Sequence, residues 1–225
     1  MKPTSWAGWF VASAILAGLM VIIYRVSLVG LADVSSKTPV YDFNQWRSGQ
    51  SVPEQGKLVA MQTALSEAYT LDPDNPNLLE MLGRLDAEMA AHGTYVGART
   101  LRLQSLAWFG QALRRRPTSG HAWLNVALMK YQLGQIDAEF SLALQQAQYR
   151  GPWDTQVQLG VIELGLAGWP VLPESTRATT RQAIRTQGQW RRVNQRSALL
   201  ALIVRYKRSE LACLLDPMMR ACPVF

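Results

Sequence analysis

This sequence is poor in the residues from which catalytic and metal centres are built. It has two histidines, His92 and His121, and two cysteines, Cys213 and Cys222. These are too few for a multi-histidine metal set, a four-cysteine zinc site or a disulfide-dense scaffold. The phosphate-binding patterns GxxxxGK[ST] and GxGxxG do not occur, and the carboxylates are scattered rather than paired. We therefore expect no cofactor, no bound metal and no enzymatic activity.

Acidic residues are also in the minority. Asp and Glu number 16 against 23 Lys and Arg, so the formal net charge is +7 at pH 7. A basic chain favours anionic partners such as nucleic acid, phospholipid head groups or an acidic polymer. Nucleic acid is the weakest of these candidates, because the arginines are not interleaved with stacking aromatic residues and no RNA or DNA module occurs. We expect no nucleic-acid partner.

Charge is entirely missing from residues 6–24, WAGWFVASAILAGLMVIIY. About 19 residues at about 1.5 Å per residue match a bilayer core of about 30 Å. Trp6, Trp9 and Tyr24 stand near the ends, where aromatic rings favour the membrane interface. The segment predicts one transmembrane helix. A cleaved signal peptide is the alternative, but its apolar region usually spans only about 7–15 residues.

After the apolar segment, Ser, Gly and Pro recur up to Pro53, and this composition predicts an irregular linker. Within it, the aromatic spacing of residues 41–47 suits a short amphipathic turn that packs on the following helices. The predicted organisation is a tail (1–5), a transmembrane helix (6–24), a linker (25–53), a helical domain (54–206) and a second tail (207–225).

A recurring offset of alanine and proline organises the helical domain. Proline follows alanine after five residues at Ala68 and Pro73, Ala112 and Pro117, and Ala147 and Pro152. Small residues allow paired helices to approach, and proline ends the second helix of each pair. Pro117 and Pro152 are 35 residues apart, close to the tetratricopeptide (TPR) period of about 34. The predicted fold is all-α: a single N-terminal transmembrane helix followed by a short TPR-like helical solenoid with C-terminal capping helices.

One interval is too long for this period. Pro73 and Pro117 are 44 residues apart, about ten more than one TPR unit. The interruption from His92 to Gly97 predicts that the extra residues form the turn between two helices. Insertions in solenoids often mark a binding face, although a merely tolerated loop explains the same pattern.

Candidate partner-binding residues fall into two groups. The first group belongs to the repeats and the insertion, and consists of Asp86, His92, Tyr95, Trp123, Asn125 and Lys130. The second group is Arg177, Arg181 and Arg185, which lie on one side of a helix predicted over residues 174–187. These arginines suit an anionic lipid or an acidic glycan. A solvated cationic face is the alternative.

Cys213 and Cys222 stand nine residues apart near the carboxyl end. In an oxidising compartment they would form a disulfide, worth about 2–3 kcal/mol depending on strain. In a reducing compartment they would remain two thiols.

Several short motifs together resemble the VpsP-type polysaccharide biosynthesis proteins of Gram-negative bacteria. They are LDPDNP (71–76), WLNVA (123–127), GQIDAEF (134–140), GPW (151–153), VQLGV (157–161), GLAGW (165–169) and a Cys-Pro pair near the end. The resemblance covers most of the chain after about Phe43. It implies a non-catalytic, single-pass protein of the bacterial inner membrane whose helical domain is periplasmic. By this resemblance, its partners are proteins of an exopolysaccharide synthesis or export complex, for which it is a scaffold or assembly factor.

A second function class is compatible with the same residues. A membrane-tethered periplasmic TPR chaperone or adaptor, serving secreted proteins or cytochrome maturation, needs the same anchor and the same helical surface. The partners distinguish the two classes, because glycan machinery shares no components with translocation or haem-ligation machinery.

The expected topology is tested by reporter fusions at the carboxyl terminus. A reporter that is active only in the periplasm should give signal, and one that is active only in the cytoplasm should not. Activity of the cytoplasmic reporter alone would contradict the periplasmic placement.

Overall fold

The computed structural model of the chain describes residues 6–48, 53–92, 97–188 and 193–215. Within these ranges the chain is helical and no strand occurs, so the predicted all-α class is confirmed. The helices are α1 (Trp6–Arg47), α2 (Gln55–Leu71), α3 (Pro76–Ala91), α4 (Ala98–Arg115), α5 (Gly120–Gln132), α6 (Ala138–Arg150), α7 (Thr155–Ala167), α8 (Glu174–Gly188), α9 (Val193–Arg205) and a 3₁₀ helix (Ser209–Leu215). The chain divides into two compact units, residues 1–82 and 83–225.

Helix α1 contains the predicted membrane segment. It is one continuous helix of 42 residues, and its amino-terminal part is long and apolar enough to cross a membrane. Large apolar side chains such as Phe10, Ile15 and Ile23 are exposed along it. Exposed apolar side chains all round a helix are typical of a lipid-facing segment.

The prediction of an irregular linker over residues 25–53 is wrong for most of its length, because α1 continues to Arg47. The reason is a stripe of buried residues spaced three or four apart, formed by Ala32, Ser36, Pro39, Phe43 and Trp46. A matching stripe lies on α2 at Leu58, Met61, Leu65 and Ala68. The two helices pack on each other, and this burial offsets the backbone hydrogen bond that Pro39 lacks.

An ion pair fixes the same helix pair at one end. Nζ of Lys57, near the start of α2, lies 3.0 Å from Oδ1 of Asp42, near the end of α1. The expected packing of the aromatic segment 41–47 therefore takes place on α2, where Phe43 and Trp46 are buried with their rings edge to face.

In the second unit, each helix from α4 to α8 packs on the next one along the chain. In addition, α5 contacts α7, and α6 contacts α8. Phe109, Met129, Phe140, Leu144 and Ile162 are fully buried in the common core. Contacts between every second helix are those expected of stacked helical pairs. The assignment of these pairs as TPR units stays a prediction.

Helix ends follow the local sequence. Ser119 and Asp137 cap α5 and α6 by accepting hydrogen bonds from the backbone N–H groups of Ala122 and Phe140. Gly134, in the turn between these helices, has φ of +74°, as its residue type predicts for the end of a helix. The pairing of α5 with α6 is thus specified locally.

The extra residues between Pro73 and Pro117 are distributed differently from the prediction. Helices α3 and α4 have 16 and 18 residues, whereas α5 and α6 have 13 each. Most of the insertion therefore lengthens the helices, because the apolar pattern continues through Met89 and Ala90, both buried. Residues 93–96 of the predicted turn lie outside the described residues.

Helix α8 approaches α7 closely at Gly165. A Cβ atom at this position would lie 2.1 Å from the hydroxyl oxygen of Thr180 and 2.7 Å from its methyl carbon. Thr180 is fully buried, so it has no space into which to move. Glycine at position 165 sets the distance between the two helices.

Replacing Gly165 with alanine should lower the free energy of unfolding by about 1–3 kcal/mol, because the added methyl group overpacks the contact with Thr180. The same replacement at Gly110 in α4, where an added Cβ meets nothing within 4 Å, should raise it by about 0.5–1 kcal/mol through better helix propensity. Urea unfolding of the full chain in detergent, followed by circular dichroism, measures both. Equal changes in the free energy of unfolding for the two substitutions would contradict the close approach of Gly165 to Thr180.

Candidate functional site

A groove lies between α5 and α7, and we call it the α5–α7 groove. Its cavity measures about 270 Å³. It is lined by Leu124, Asn125, Leu128, Tyr131, Gln132, Gly160, Glu163, Leu164, Ala167 and Tyr206. Both helices contribute residues spaced three, four or seven apart, which is the spacing of one helical face. The groove is therefore built from two parallel rows of side chains, most of them apolar.

The two rows come together because α7 carries a glycine opposite Leu124. A Cβ atom at Gly160 would lie 2.5 Å from a methyl carbon of Leu124. The two helices thus approach closely at Gly160, and the apolar side chains of Leu128 and Leu164 line the groove beside it.

One edge of the groove is polar and acidic. The pKa of Tyr206 is raised, first by burial and then by the charge of Glu163, to which its hydroxyl group is hydrogen-bonded. Tyr131 acts in the same direction, and Arg205 opposes it. Glu163 also lies 3.7 Å from Arg205, in an exposed ion pair. This edge therefore places the hydroxyl group of Tyr206 beside the side chain of Glu163.

Among the candidate partner-binding residues, Asn125 lies in the groove. Its neighbour Trp123 is half-buried outside the groove lining, and its indole Nε1 donates a hydrogen bond of 2.9 Å to the carbonyl of Pro117. Trp123 thereby joins the start of α5 to the turn before it.

Lys130 is buried, with 4% of its surface exposed. Its ammonium group lies 2.6 Å from Oε2 of Glu139 and 2.9 Å from Oδ2 of Asp137. Burial alone would lower the pKa of Lys130, but the hydrogen bonds and charges of these two carboxylates outweigh it, and the pKa is raised above 10.5. Lys130 therefore connects α5 to the start of α6, and partner binding by its side chain stays a prediction.

Asp86 and His92 both lie on or next to α3. Asp86 is fully buried and accepts a hydrogen bond of 3.1 Å from the indole of Trp108. His92 is exposed just after the helix, with Nδ1 2.8 Å from the carbonyl of Glu88. Tyr95 lies outside the described residues. The structure thus gives Asp86 a role in packing α4 and leaves only His92 of these two at the surface.

The three arginines of α8 separate into two environments. Arg177 donates hydrogen bonds to the carbonyls of Trp169 and Pro170, and Arg181 is hydrogen-bonded to Glu174. Both guanidinium groups lie over the indole of Trp169. Arg185 alone is exposed. Arg177 and Arg181 thus turn towards Trp169, and binding of an anionic partner by the three arginines stays a prediction.

Cys213 lies in the 3₁₀ helix and has no free thiol, being disulfide-bonded. Its predicted partner Cys222 lies outside the described residues, and the bridge between these two residues stays a prediction.

Three residues of the groove edge were not singled out by sequence reasoning, namely Tyr131, Glu163 and Tyr206. Tyr131 and Glu163 carried a usable signal, because they follow Leu128 and Gly160 by three residues each, which is the spacing of one helical face. Tyr206 carried none, since it follows α9 and reaches the groove only through tertiary packing.

Comparison with known proteins adds no family to this description. No protein-family model matches the chain, and no curated protein matches it.

The groove helices are held together at their amino-terminal ends by Asp154. Its Oδ1 caps α7 by accepting hydrogen bonds from the backbone N–H groups of Gln156 and Val157, at 2.9 and 3.1 Å. Its Oδ2 lies 2.9 Å from Nε2 of His121 on α5. Burial alone would raise the pKa of Asp154, but the N–H of Val157 and the charge of His121 outweigh it, and the pKa is lowered from 3.8.

Replacing Asp154 with alanine should lower the free energy of unfolding by about 1 kcal/mol at pH 7, because the helix cap is lost. The ionised carboxylate stabilises the fold fully above pH 3.8, and this contribution disappears as the pH falls through the lower pKa of the folded state. The difference between wild type and variant should therefore shrink on acidification. Urea unfolding at several pH values down to the acid transition measures it.

Asp154→Asn is the matched control, because asparagine also caps helices but does not ionise. At pH 7 this variant should keep most of the wild-type free energy of unfolding. The part of that free energy that the wild type loses on acidification should be absent from the variant. A difference between wild type and Asp154→Ala that stays constant from pH 7 to the acid transition would contradict the assignment.

Proposed function

We propose that this chain is a membrane-anchored, TPR-like adaptor that binds a segment of a partner protein in the α5–α7 groove. Through this contact it would position components of an exopolysaccharide biosynthesis or export complex on the periplasmic side of the inner membrane. The assignment to that complex follows from the sequence motifs given above, and the binding mode follows from the groove.

The single observation that carries the binding mode is the composition of the groove. Leu124 and Leu128 of α5 are half-buried at its wall, and one edge carries Glu163 and the Tyr206 hydroxyl. An apolar trough with a few polar groups at its edge is the surface that an amphipathic helix recognises, since apolar anchors supply affinity and polar groups fix the register. We therefore propose an amphipathic helical segment as the occupant.

The acidic edge adds a requirement for the partner. A segment with a lysine or arginine next to its apolar stripe would pair with Glu163, whose ion pair with Arg205 is long and exposed. Such exposed pairs contribute little to stability, so a partner cation can compete for the carboxylate.

The anchor supports the same function. A helix that is long and apolar enough to cross the bilayer restricts the chain to the membrane surface, and this raises its effective concentration towards other membrane components. A groove of modest intrinsic affinity is sufficient under these conditions.

Filling the groove should abolish the function without unfolding the chain. In a strain that lacks the gene, extracellular polysaccharide should be lost while sugar-nucleotide pools stay intact, and the wild-type chain should restore it. Asn125→Trp should fail to restore it, because a bulky side chain in the groove should weaken partner binding at least about ten-fold. Polymer output and the protein level of each variant are measured together.

The matched control is Gln156→Trp, which adds the same side chain at an exposed position of α7 outside the groove lining. It should restore polymer output to the wild-type level. Full restoration by Asn125→Trp would contradict the groove, and unchanged polymer in the deletion strain would contradict the assignment to polysaccharide assembly.

A photo-crosslinking amino acid at Gln132, on the groove lining, identifies the occupant in the same strain. Crosslinks to glycan synthesis or export proteins are the expected result. Crosslinks to translocation or haem-ligation proteins instead would assign the chain to the chaperone class.

A further inference from the structure

Helix α9 is apolar on two opposite sides. Leu199 and Ile203 are fully buried in the core of the second unit. On the other side, Leu200, Ala201 and Val204 are exposed, and 64% of the surface of Val204 is accessible. Val204 follows Leu200 by four positions and Ala201 by three, so these three residues share one side of the helix. We call this side the α9 face.

Cations stand beside the α9 face. Arg205 follows Val204 directly, and 71% of its side-chain surface is exposed. Its ion pair with Glu163, at 3.7 Å, is long and half-exposed, and such pairs contribute little to stability. Lys207 is exposed just beyond the end of the helix. The α9 face therefore combines apolar side chains with two accessible positive charges.

The sequence around α9 contains no acidic residue. Between Glu174 and Glu210 there are nine Lys and Arg residues and no Asp or Glu. The charge of this stretch is thus higher than the net charge of +7 of the whole chain. Protein surfaces carry charges of both signs, whereas the head groups of anionic lipids form a surface of one sign. This distribution of charge favours lipid over protein as the partner of α9.

The backbone at the end of α9 provides a separate observation. Lys207 has φ of +54°, and the N–H of Arg208 donates a hydrogen bond of 2.9 Å to the carbonyl of Ile203. This is the Schellman motif, in which glycine is the usual residue at the left-handed position. A side chain there destabilises the backbone. The fold itself therefore does not favour lysine at position 207, and a surface contact of its ammonium group supplies a reason for it.

We propose that the α9 face binds the surface of an anionic lipid bilayer. Leu200 and Val204 would lie at the boundary between head groups and acyl chains, and Arg205 and Lys207 would contact lipid phosphates. A hydrated acidic polysaccharide matches the charges equally well but leaves the apolar side chains in water. The chain also carries a helix long and apolar enough to cross a membrane, so even a weak contact with lipid forms at high effective concentration.

The test uses the full chain in nanodiscs of phosphatidylcholine, with an environment-sensitive fluorescent amino acid in place of Ala201. Vesicles that contain roughly 30% phosphatidylglycerol, and hence have an anionic surface, are added in one titration. Vesicles of phosphatidylcholine alone are added in another. Entry of the α9 face into the lipid interface should move the emission to shorter wavelength.

The anionic vesicles should give a saturable shift that weakens as salt is added. Neutral vesicles should bind at least about ten-fold more weakly, because the contribution of the cations is absent. No shift with anionic vesicles, or equal affinity for both kinds of vesicle, would overturn the proposal. An equal shift with alginate, a soluble acidic polysaccharide, would overturn it in favour of a glycan. A shift in neutral nanodiscs that contain two chains, without vesicles, would overturn it in favour of a second copy.

Lys207→Gly separates lipid binding from stability, because the two effects have opposite signs. Loss of one basic group should weaken binding to anionic vesicles about five-fold. The melting temperature, followed by circular dichroism, should rise, because glycine suits the left-handed backbone. A lysine with a structural role alone would leave the vesicle affinity unchanged, and that result would overturn the proposal.

Val204→Asp tests the apolar part of the α9 face. A carboxylate at this position should abolish the emission shift, because it is repelled by anionic head groups and is costly to bury. Leu142→Asp is the matched control, since it adds the same charge at an exposed apolar position of α6. It should weaken binding less than about two-fold. Equal losses in the two variants would overturn the site.

Thermal unfolding of both variants accompanies the titrations. Should Val204→Asp unfold, Lys207→Gly decides the matter, because that substitution is not expected to destabilise the chain. None of the three residues of the α9 face lines the α5–α7 groove. A chain that fails the polysaccharide test can therefore still bind lipid through α9, and failure of lipid binding leaves the groove untouched.

Discussion

Close packing of helices at small residues is the constraint on which the second unit depends. Gly165 admits Thr180 of α8, and Gly160 admits Leu124 of α5, so α7 is in tight contact on two sides. Alanines that are fully buried in α4, α5 and α6, at Ala112, Ala127 and Ala147, belong to the same core. Because dense packing leaves no space for larger side chains, these positions determine helix separation and hence the width of the α5–α7 groove.

The groove follows from this packing rather than from any motif of its own. Helices α5 and α7 each bury one face in the core and present a second face to the groove, where Leu124 and Leu128 remain half-buried and Leu164 is buried. Buried apolar contacts fix the positions of α5 and α7. At one end, the hydrogen bond between Asp154 and His121 connects the two helices. A surface with such support is preorganised, so the groove itself would lose little conformational entropy on binding a ligand.

Helix ends could be predicted from the sequence because they depend on neighbouring residues, whereas contacts between distant helices could not. The alanine–proline offsets predicted helix ends just before Pro73, Pro117 and Pro152, and α2, α4 and α6 end at Leu71, Arg115 and Arg150, since helix ends are specified by neighbouring residues. The arginines of α8 were expected at the surface, because helical spacing gives the side of a helix but not what packs against it. Trp169 stood only at the end of the GLAGW motif, and nothing in the local sequence indicated that Arg177 and Arg181 would pack on its ring. The extension of α1 was missed for a similar reason: Ser, Pro and Gly suggested a linker, while the stripe that contains Phe43 acts through α2.

The unbroken course of α1 has a mechanical consequence. At about 1.5 Å per residue, its 42 residues form a rod of about 63 Å, roughly twice the thickness of the apolar bilayer core. The distal half of this rod is clamped to α2 by two apolar stripes and by the ion pair of Asp42 with Lys57. A flexible linker would separate α2 from movements of the amino-terminal part of α1, whereas a continuous helix transmits them. If the apolar part of α1 crosses a bilayer, any tilt or rotation of the helix, such as a change in bilayer thickness imposes, is transmitted to α2 as a displacement that grows with distance from the membrane.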